Sequence, residues 1–414
     1  MDFSLEYTEE QEKFAQEVRE WLDKNIPEGI VHPREPQKVT VEQWQKKREL
    51  GRRLGEKGWL YPSHPNQYGG GGLDVDRNLV IRQELGKRGF SVPPYYDSGG
   101  LATAAVMACG TEEQKQRFLP PILKGQAHTW QLFTEPEAGT DEANQQTNAL
   151  HSTREQDYFV VNGSKIFVGG LPTKPDQFLL LTRSDLKAPR HENLAMFLAP
   201  ANSPGVTIQP LDLFPSGTFR QVLGVSADPA PGIKHSVFFD DVKIHKSYLI
   251  GGEKDGWKVA TAALLLEHGE GTEGIPRNMV AAKFIEQCRS NPNIAKRLKE
   301  NPRLLDIVVD VFITTQVERL FNMRNAWLTS SHKRAAYTGP QISVYTKMFG
   351  AKLAQSMAEV LGPYALTSDE QRGLEDSIFE VGERSGICLA PAGTPEALRI
   401  IISRALRLGI SETK

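Results

Sequence analysis

Residues 158–170 read YFVVNGSKIFVGG, and this run decides how the chain is divided. Tyr158 to Val161 form one β-rich run and Ile166 to Val168 another. Between them stands Asn162–Gly163, a pair that takes positive φ readily, so a hairpin of two antiparallel strands is expected here. Downstream, QFLLLTRS (177–184), LAMFLAP (194–200) and HSVFFDDVKI (235–244) read as further strands, spaced by Pro- and Gly-rich turns. Upstream the period is helical. Thr8-Glu9-Glu10-Gln11 fits a capping box, Phe14, Val18, Trp21 and Leu22 share one face, and Pro27 stops the helix. Helices follow near 40–57, 76–88 and 98–109, with YGGGG (68–72) as a loop, and Gly110–Thr111 opens another helix. From about 252 the helical period returns and persists. Ile307, Val311, Phe312, Thr315 and Leu320 mark one long helix, and Val344, Met348, Ala351 and Leu353 another. The expected fold class is therefore α+β multidomain: an N-terminal helical domain (1–128), a small central β domain (129–245) and a C-terminal helical domain (246–414). No internal repeat or low-complexity segment interrupts this order.

A chain of 414 residues exceeds what one hydrophobic core usually organises, which agrees with several domains. Its 49 basic and 51 acidic side chains nearly cancel, so charge gives no case for nucleic acid or a membrane surface. No apolar run approaches the ~20 residues of a membrane span. The opening MDFSLEYTEEQEKF is acidic and polar, unlike a secretory leader, and the three cysteines (Cys109, Cys288, Cys388) lie far apart. A cytoplasmic protein without a disulfide framework is expected.

Familiar cofactor motifs are missing. Gly69 to Gly72 do not make G-x-G-x-x-G and do not follow a strand. Walker, H-E-x-x-H and Gly-x-Ser-x-Gly patterns are absent, and no Cys/His cluster has ligand spacing, so no metal is expected. LFTEPEAGTDEA (132–143) carries more information. Two threonines, a proline and an Ala-Gly turn sit where helices give way to strands. Hydroxyls and free N–H groups in such a turn can bind a flat polar heterocycle or a phosphate, or simply form a polar loop.

In order and spacing, seven stretches resemble the acyl-CoA dehydrogenase family: GWLYPSHPNQYGGGGL (58–73), GTEEQKQRFLPPILKG (110–125), FTEPEAGTD (133–141), YFVVNGSKIFVGG (158–170), FFDDVKI (238–244), GGEKDGWKVA (251–260) and AGTPEALRIIISRALRLG (392–409). The resemblance implies an α-helical domain, a β-barrel-like domain and a four-helix bundle. It also implies FAD at the domain junction, shared across a subunit interface of a dimer or tetramer. The implied substrate is an acyl-CoA thioester and the implied acceptor an electron-transfer flavoprotein.

The family's reaction removes the α proton of the thioester while a hydride leaves the β carbon for N5 of the flavin. The base is a carboxylate, partly desolvated so that its pKa rises toward the working pH. Most members carry it in a Tyr-Glu-Gly-Thr segment near the C-terminus, where this chain reads Pro391-Ala392-Gly393-Thr394. A minority place it on the helix after Gly-Trp-Lys. Here that helix, KVATAALLLEHGEG (258–271), delivers Glu267, which the resemblance makes the base. His268 replaces the common arginine, with three roles open to it: pairing with Glu267, tuning its pKa, or packing. Ala392 and Gly393 are expected at the substrate, where the Ala392 N–H and a ribityl hydroxyl of FAD would serve the developing enolate oxygen.

The remaining site residues are also implied by the resemblance. Phe133 and Thr134 should lie against the flavin ring, with the Thr134 hydroxyl or amide near its pyrimidine edge. Thr140 should approach the pyrophosphate or the acyl-CoA. Phe167 stands where a tryptophan usually screens the flavin, and Gly169 where many relatives carry a serine or threonine. Gly362, Thr394 and Glu396 occupy further cofactor-contacting positions. The family's Arg-x-x-Phe-Gly segment, which holds a neighbour's FAD, is missing, and Arg277 and Arg289 are the nearest substitutes. Moving the base to Glu267 points to a branched, cyclic or otherwise bulky acyl group. Two other readings accompany this one: a flavin oxidase or monooxygenase of the same superfamily, and a non-catalytic or half-site subunit of a heteromer.

Overall fold

A computed structural model describes residues 7–30, 40–169, 173–212, 233–265, 278–330, 336–367 and 393–409. Helix α1 (Glu9–Asn25) starts at a complete capping box: Thr8 Oγ1 accepts from Gln11 N at 3.2 Å, and Gln11 Oε1 accepts from Thr8 N at 3.0 Å. Helices α2 (Val41–Glu56), α3 (Val75–Lys87), α4 (Gly99–Cys109) and α5 (Glu112–Leu123) follow. Thr111 and Gln114 cap α5 in the same reciprocal way. Both boxes satisfy N–H groups that a helix start leaves without partners.

Eight strands then build one sheet: β1 (Thr129–Leu132), β2 (Asn148–His151), β3 (Tyr158–Val168), β4 (Gln177–Arg183), β5 (Leu194–Pro200), β6 (Val206–Asp212), β7 (Ile233–His245) and β8 (Leu249–Ile250). Their order is β6-β7-β3-β2-β4-β5-β8, with β1 parallel to β4. Alternation along β4 and β5 divides the core. Leu179, Leu181, Leu194, Met196 and Leu198 face the N-terminal helices, while Phe178, Leu180, Ala195, Phe197 and Ala199 fill the other face. Strands buried on both sides need continuous apolar runs, which explains QFLLL and LAMFLA.

The hairpin expected at Asn162–Gly163 does not form. Tyr158–Val168 is one continuous strand, antiparallel to β7, with a register shift between Val161 and Gly163. The extra residue of this shift lies on β7, where Asp241 has φ 48°, and Gly163 (φ 141°) stays within the β3 strand, where a Cβ would meet Thr147 at 2.6 Å. Asn162 is held across the ladder: its Nδ2 donates to Asp241 Oδ1 at 3.0 Å, and its Oδ1 accepts from Asp241 N at 2.8 Å. A cross-strand partner overrode the local signal.

Helix α6 (Gly256–Leu265) buries Val259, Ala260 and Ala263 in the same core as the N-terminal helices. Its first residue must be small, because a Cβ on Gly256 would overlap the backbone of Leu194 and Ala195. Helices α7 (Met279–Ser290), α8 (Pro292–Glu300), α9 (Pro302–Ser330) and α10 (Thr338–Leu361) share a separate core containing Phe284, Leu298, Val311, Phe349, Leu353 and Met357. Helix α11 (Pro395–Ala405) follows. Among the described residues, no helix is long and apolar enough to cross a membrane.

Candidate cofactor and substrate site

Strand β1 runs out into Phe133 and Thr134, and β3 runs beside them. Ile166 N donates to Thr134 O at 3.0 Å, which seats the FTEPEAGTD turn on the β3 strand. The loop returns at Thr147, whose Oγ1 donates to Ser164 O at 3.0 Å. Between these two anchors lies Lys165, with no exposure at all. Its Nζ donates to Phe133 O at 3.0 Å, to Glu135 Oε1 at 2.7 Å and, at very short range, to Gln145 Oε1. Glu135, also buried, accepts from Gln146 N at 2.6 Å and from Thr147 N at 3.1 Å. Burial pushes the Lys165 ammonium down to about 8, and the neighbouring Glu135 carboxylate opposes that shift. Sequence reasoning passed over this trio. Lys165 has the parity of Phe159 and Val161, so strand alternation alone places it on the inward face.

Phe167 departs from the strand. A second register shift, between Lys165 and Val168, turns it outward with φ 60° and 51% exposure. A large aromatic held in the left-handed region costs on the order of 1–3 kcal/mol, and such strain concentrates at functional positions. Two residues on, Gly169 (φ 63°) leaves room for the Trp130 ring, which a Cβ would overlap. Trp130 stacks on His235 with centroids 4.7 Å apart, and its Nε1 finds no hydrogen-bond partner among the described residues. Thr134 is half-buried and Thr140 exposed on the loop. The Phe133 side chain is buried in the core with the N-terminal helices, so its ring points away from the half-exposed face.

The structure thus brings the Thr134 backbone beside Ile166, next to Phe167, and sets Gly169 against Trp130, whereas the Phe133 ring, expected against the cofactor, is buried in the N-terminal core. The outward-turned Phe167 ring and the Thr134 turn tied to its neighbour Ile166 are groups that could pack against a planar ring system such as a flavin. Among the described residues, no group of three His, Cys, Asp or Glu side chains is arranged to hold a metal ion.

The C-terminal positions sit on other elements. Thr394 caps α11, its Oγ1 accepting from Ala397 N at 3.2 Å, and Glu396 is exposed in the first turn. Gly393 has φ 82°. Gly362 (φ 60°) ends α10, where a Cβ would meet Arg297 Nη2 at 2.7 Å. That guanidinium donates from Nε to Val360 O at 3.2 Å and so caps the helix. Arg289 is exposed on α7. Glu267, His268, Ala392 and Arg277 lie outside the described residues. A further acid escaped sequence reasoning: Glu318, buried in α9, accepts from Asn278 Nδ2 at 3.3 Å, and burial pushes it up to about 7.

Residues 8–126 match the family model of the acyl-CoA dehydrogenase N-terminal domain, and residues 131–216 that of the acyl-CoA dehydrogenase middle domain. The acyl-CoA dehydrogenase FadE29 of Mycobacterium tuberculosis is 29% identical over 265 residues, which are 63% of this chain and 61% of FadE29. That match spans less than two thirds of the relative. FadE26 of the same organism is 26% identical over 413 residues, 96% of either chain. Among solved structures, the Tcur3481–Tcur3483 steroid ACAD superposes with a TM-score of 0.77 at 24% identity, covering all of both chains. At that identity the likeness speaks for the fold.

Proposed function

The chain belongs to the acyl-CoA dehydrogenase family, and from that premise we propose that it oxidises an acyl-CoA thioester to the trans-2-enoyl-CoA with FAD as cofactor. The observation that carries the cofactor assignment is Phe167, strained, half-exposed and hydrogen-bonded through its neighbour Ile166 to the Thr134 turn. Its ring covers one side of the flavin plane, where apolar packing does most of the screening. Thr134 contacts the pyrimidine edge, and Thr140 the pyrophosphate or the acyl-CoA. Gly362, Thr394 and Glu396 complete the cofactor contacts. The chemistry FAD supplies when bound is acceptance of the β hydride at N5.

The chain supplies the rest. Glu267, two residues beyond the apolar helix Gly256–Leu265, takes the α proton. Abstraction of the α proton calls for a carboxylate that is partly desolvated, so that its pKa rises toward the working pH. The Ala392 N–H donates to the thioester oxygen as negative charge grows there, Gly393 allows the backbone to come close, and His268 borders the substrate. With Ala392 at the more common base position, the base moves to the helix of Glu267 and approaches the substrate from another direction. A branched, cyclic or other bulky acyl chain follows from that, and electron-transfer flavoprotein is the acceptor. The domain bounds we propose are 1–128, 129–245 and 246–414, with strand β8 (Leu249–Ile250) reaching back into the sheet and α6 into the N-terminal core.

Assembly completes the proposal. The outer face of α9 exposes Leu305, Val309, Phe312, Ile313, Leu320 and Trp327. Their spacing keeps all six in one stripe about 33 Å long at 1.5 Å per residue. An exposed apolar stripe of this length is the kind of surface a partner covers, and the partner we propose is a second chain of the same fold.

Anaerobic titration tests the reading. The flavin-loaded protein should lose its oxidised visible band with at least one member of a panel of straight, branched, alicyclic and steroid acyl-CoAs. A flavin band that no thioester bleaches, but that oxygen restores quickly after chemical reduction, would favour the oxidase. A protein that acquires flavin only when a second chain is co-expressed would favour the half-site subunit.

A further inference from the structure

The three consecutive residues Ser164, Lys165 and Ile166 hold the 133–147 loop at three places. Ser164 receives its return at Thr147, Ile166 holds its departure at Thr134, and Lys165 reaches into its middle. Every acceptor that Lys165 Nζ finds belongs to that loop: Phe133 O, Glu135 and Gln145. Glu135 then fixes two loop N–H groups, those of Gln146 and Thr147. A buried ion pair is a poor device for stability alone, since desolvating both charges offsets most of their attraction and a packed apolar pair often does as well. What it does supply is direction, because each bond specifies one position of the loop. The geometry is needed where it occurs. Lys165 lies two residues before the strained Phe167, and Glu135 directly follows Thr134.

We propose that Lys165, Glu135 and Gln145 form a buried lock that positions the 133–147 loop, and with it Thr134, against Phe167 to shape the cofactor face. This role rests on the FAD reading above. All three are positioning residues. None touches cofactor or substrate, and their effect passes through the backbone of Thr134 and the β3 strand.

Three variants of the full chain test the lock: Lys165→Met, Glu135→Gln and the double change. Amide hydrogen exchange at Gln146 and Thr147 is followed without added FAD, and FAD affinity and the position of the bound flavin's visible band are measured separately. Each single variant should raise exchange at both amides tenfold or more, weaken FAD binding at least tenfold and shift the band. The double variant, which leaves no uncompensated buried charge, should recover the melting temperature but not the slow exchange, the affinity or the band. It also keeps the test decisive if a single variant fails to fold. Faster exchange with unchanged affinity and band would overturn the proposal, as would a double variant identical to wild type. Wild-type protein that takes up no FAD would sink the cofactor reading itself, a failure recognisable because it appears in the unmutated chain.

Discussion

The Trp130 ring occupies the space into which a side chain on Gly169 would project. Gly169 also sits at φ 63°, where a residue with a Cβ costs about 1–2 kcal/mol before any overlap is counted. A side chain at this position is therefore excluded by packing as well as by backbone conformation. Gly169→Ser should lower stability by roughly 2–4 kcal/mol, backbone strain and overpacking together. Urea unfolding measures this, and a variant as stable as wild type would show that Trp130 yields easily.

Glu318 makes stability depend on pH in a predictable direction. Its ordinary value is 4.5 and burial raises it to about 7 in the folded chain, so the native state holds a proton that the unfolded state has released. Stability from this group is fully present below pH 4.5 and is lost as pH rises toward 7. Glu318→Gln removes the titration and retains an acceptor for Asn278. The variant should exceed wild type by roughly 2–3 kcal/mol at pH 8 and match it near pH 4.5. Denaturation midpoints at the two pH values decide, and a pH-independent difference would contradict the assignment.

On α9, Phe312 and Leu320 lie near the middle of the exposed stripe. Phe312→Asp places a charge in the proposed interface without touching the inner core. Wild type should sediment as a dimer or larger, and the variant should shift to a smaller mass with an unchanged far-ultraviolet spectrum. A monomeric wild type, or an unaltered assembly in the variant, would remove this face from consideration.

Much of this architecture was legible because local chemistry and tertiary packing agreed. Thr8 with Gln11, and Thr111 with Gln114, announce helix starts that the structure realises bond for bond. The apolar runs at 177–183 and 194–200 are strands because both faces of the sheet are covered. What stayed hidden depends on residues distant in sequence. Asn162–Gly163 signals a turn until Asp241, 79 residues away, holds it in mid-strand. Gly362 has the look of an ordinary helix terminator until Arg297 is seen to fill its missing side chain. Lys165 and Glu135 were inside recognised motifs, yet only their burial against each other reveals a shared task. Glu318 is a charge on a helical pattern until the fold encloses it.

The central claim is that Glu267 is the base of an α,β-dehydrogenation, and exchange of the α hydrogen tests it most directly. Flavin-loaded wild type and Glu267→Gln are incubated anaerobically in deuterated buffer with the acyl-CoA that bleaches the wild-type flavin. Deuterium entry at the α carbon and the rate of flavin reduction are then followed. Wild type should do both, and Glu267→Gln should lose both by a factor on the order of 10²–10⁴ while still binding the thioester. A variant that exchanges and reduces at the wild-type rate would show that the proton is taken elsewhere.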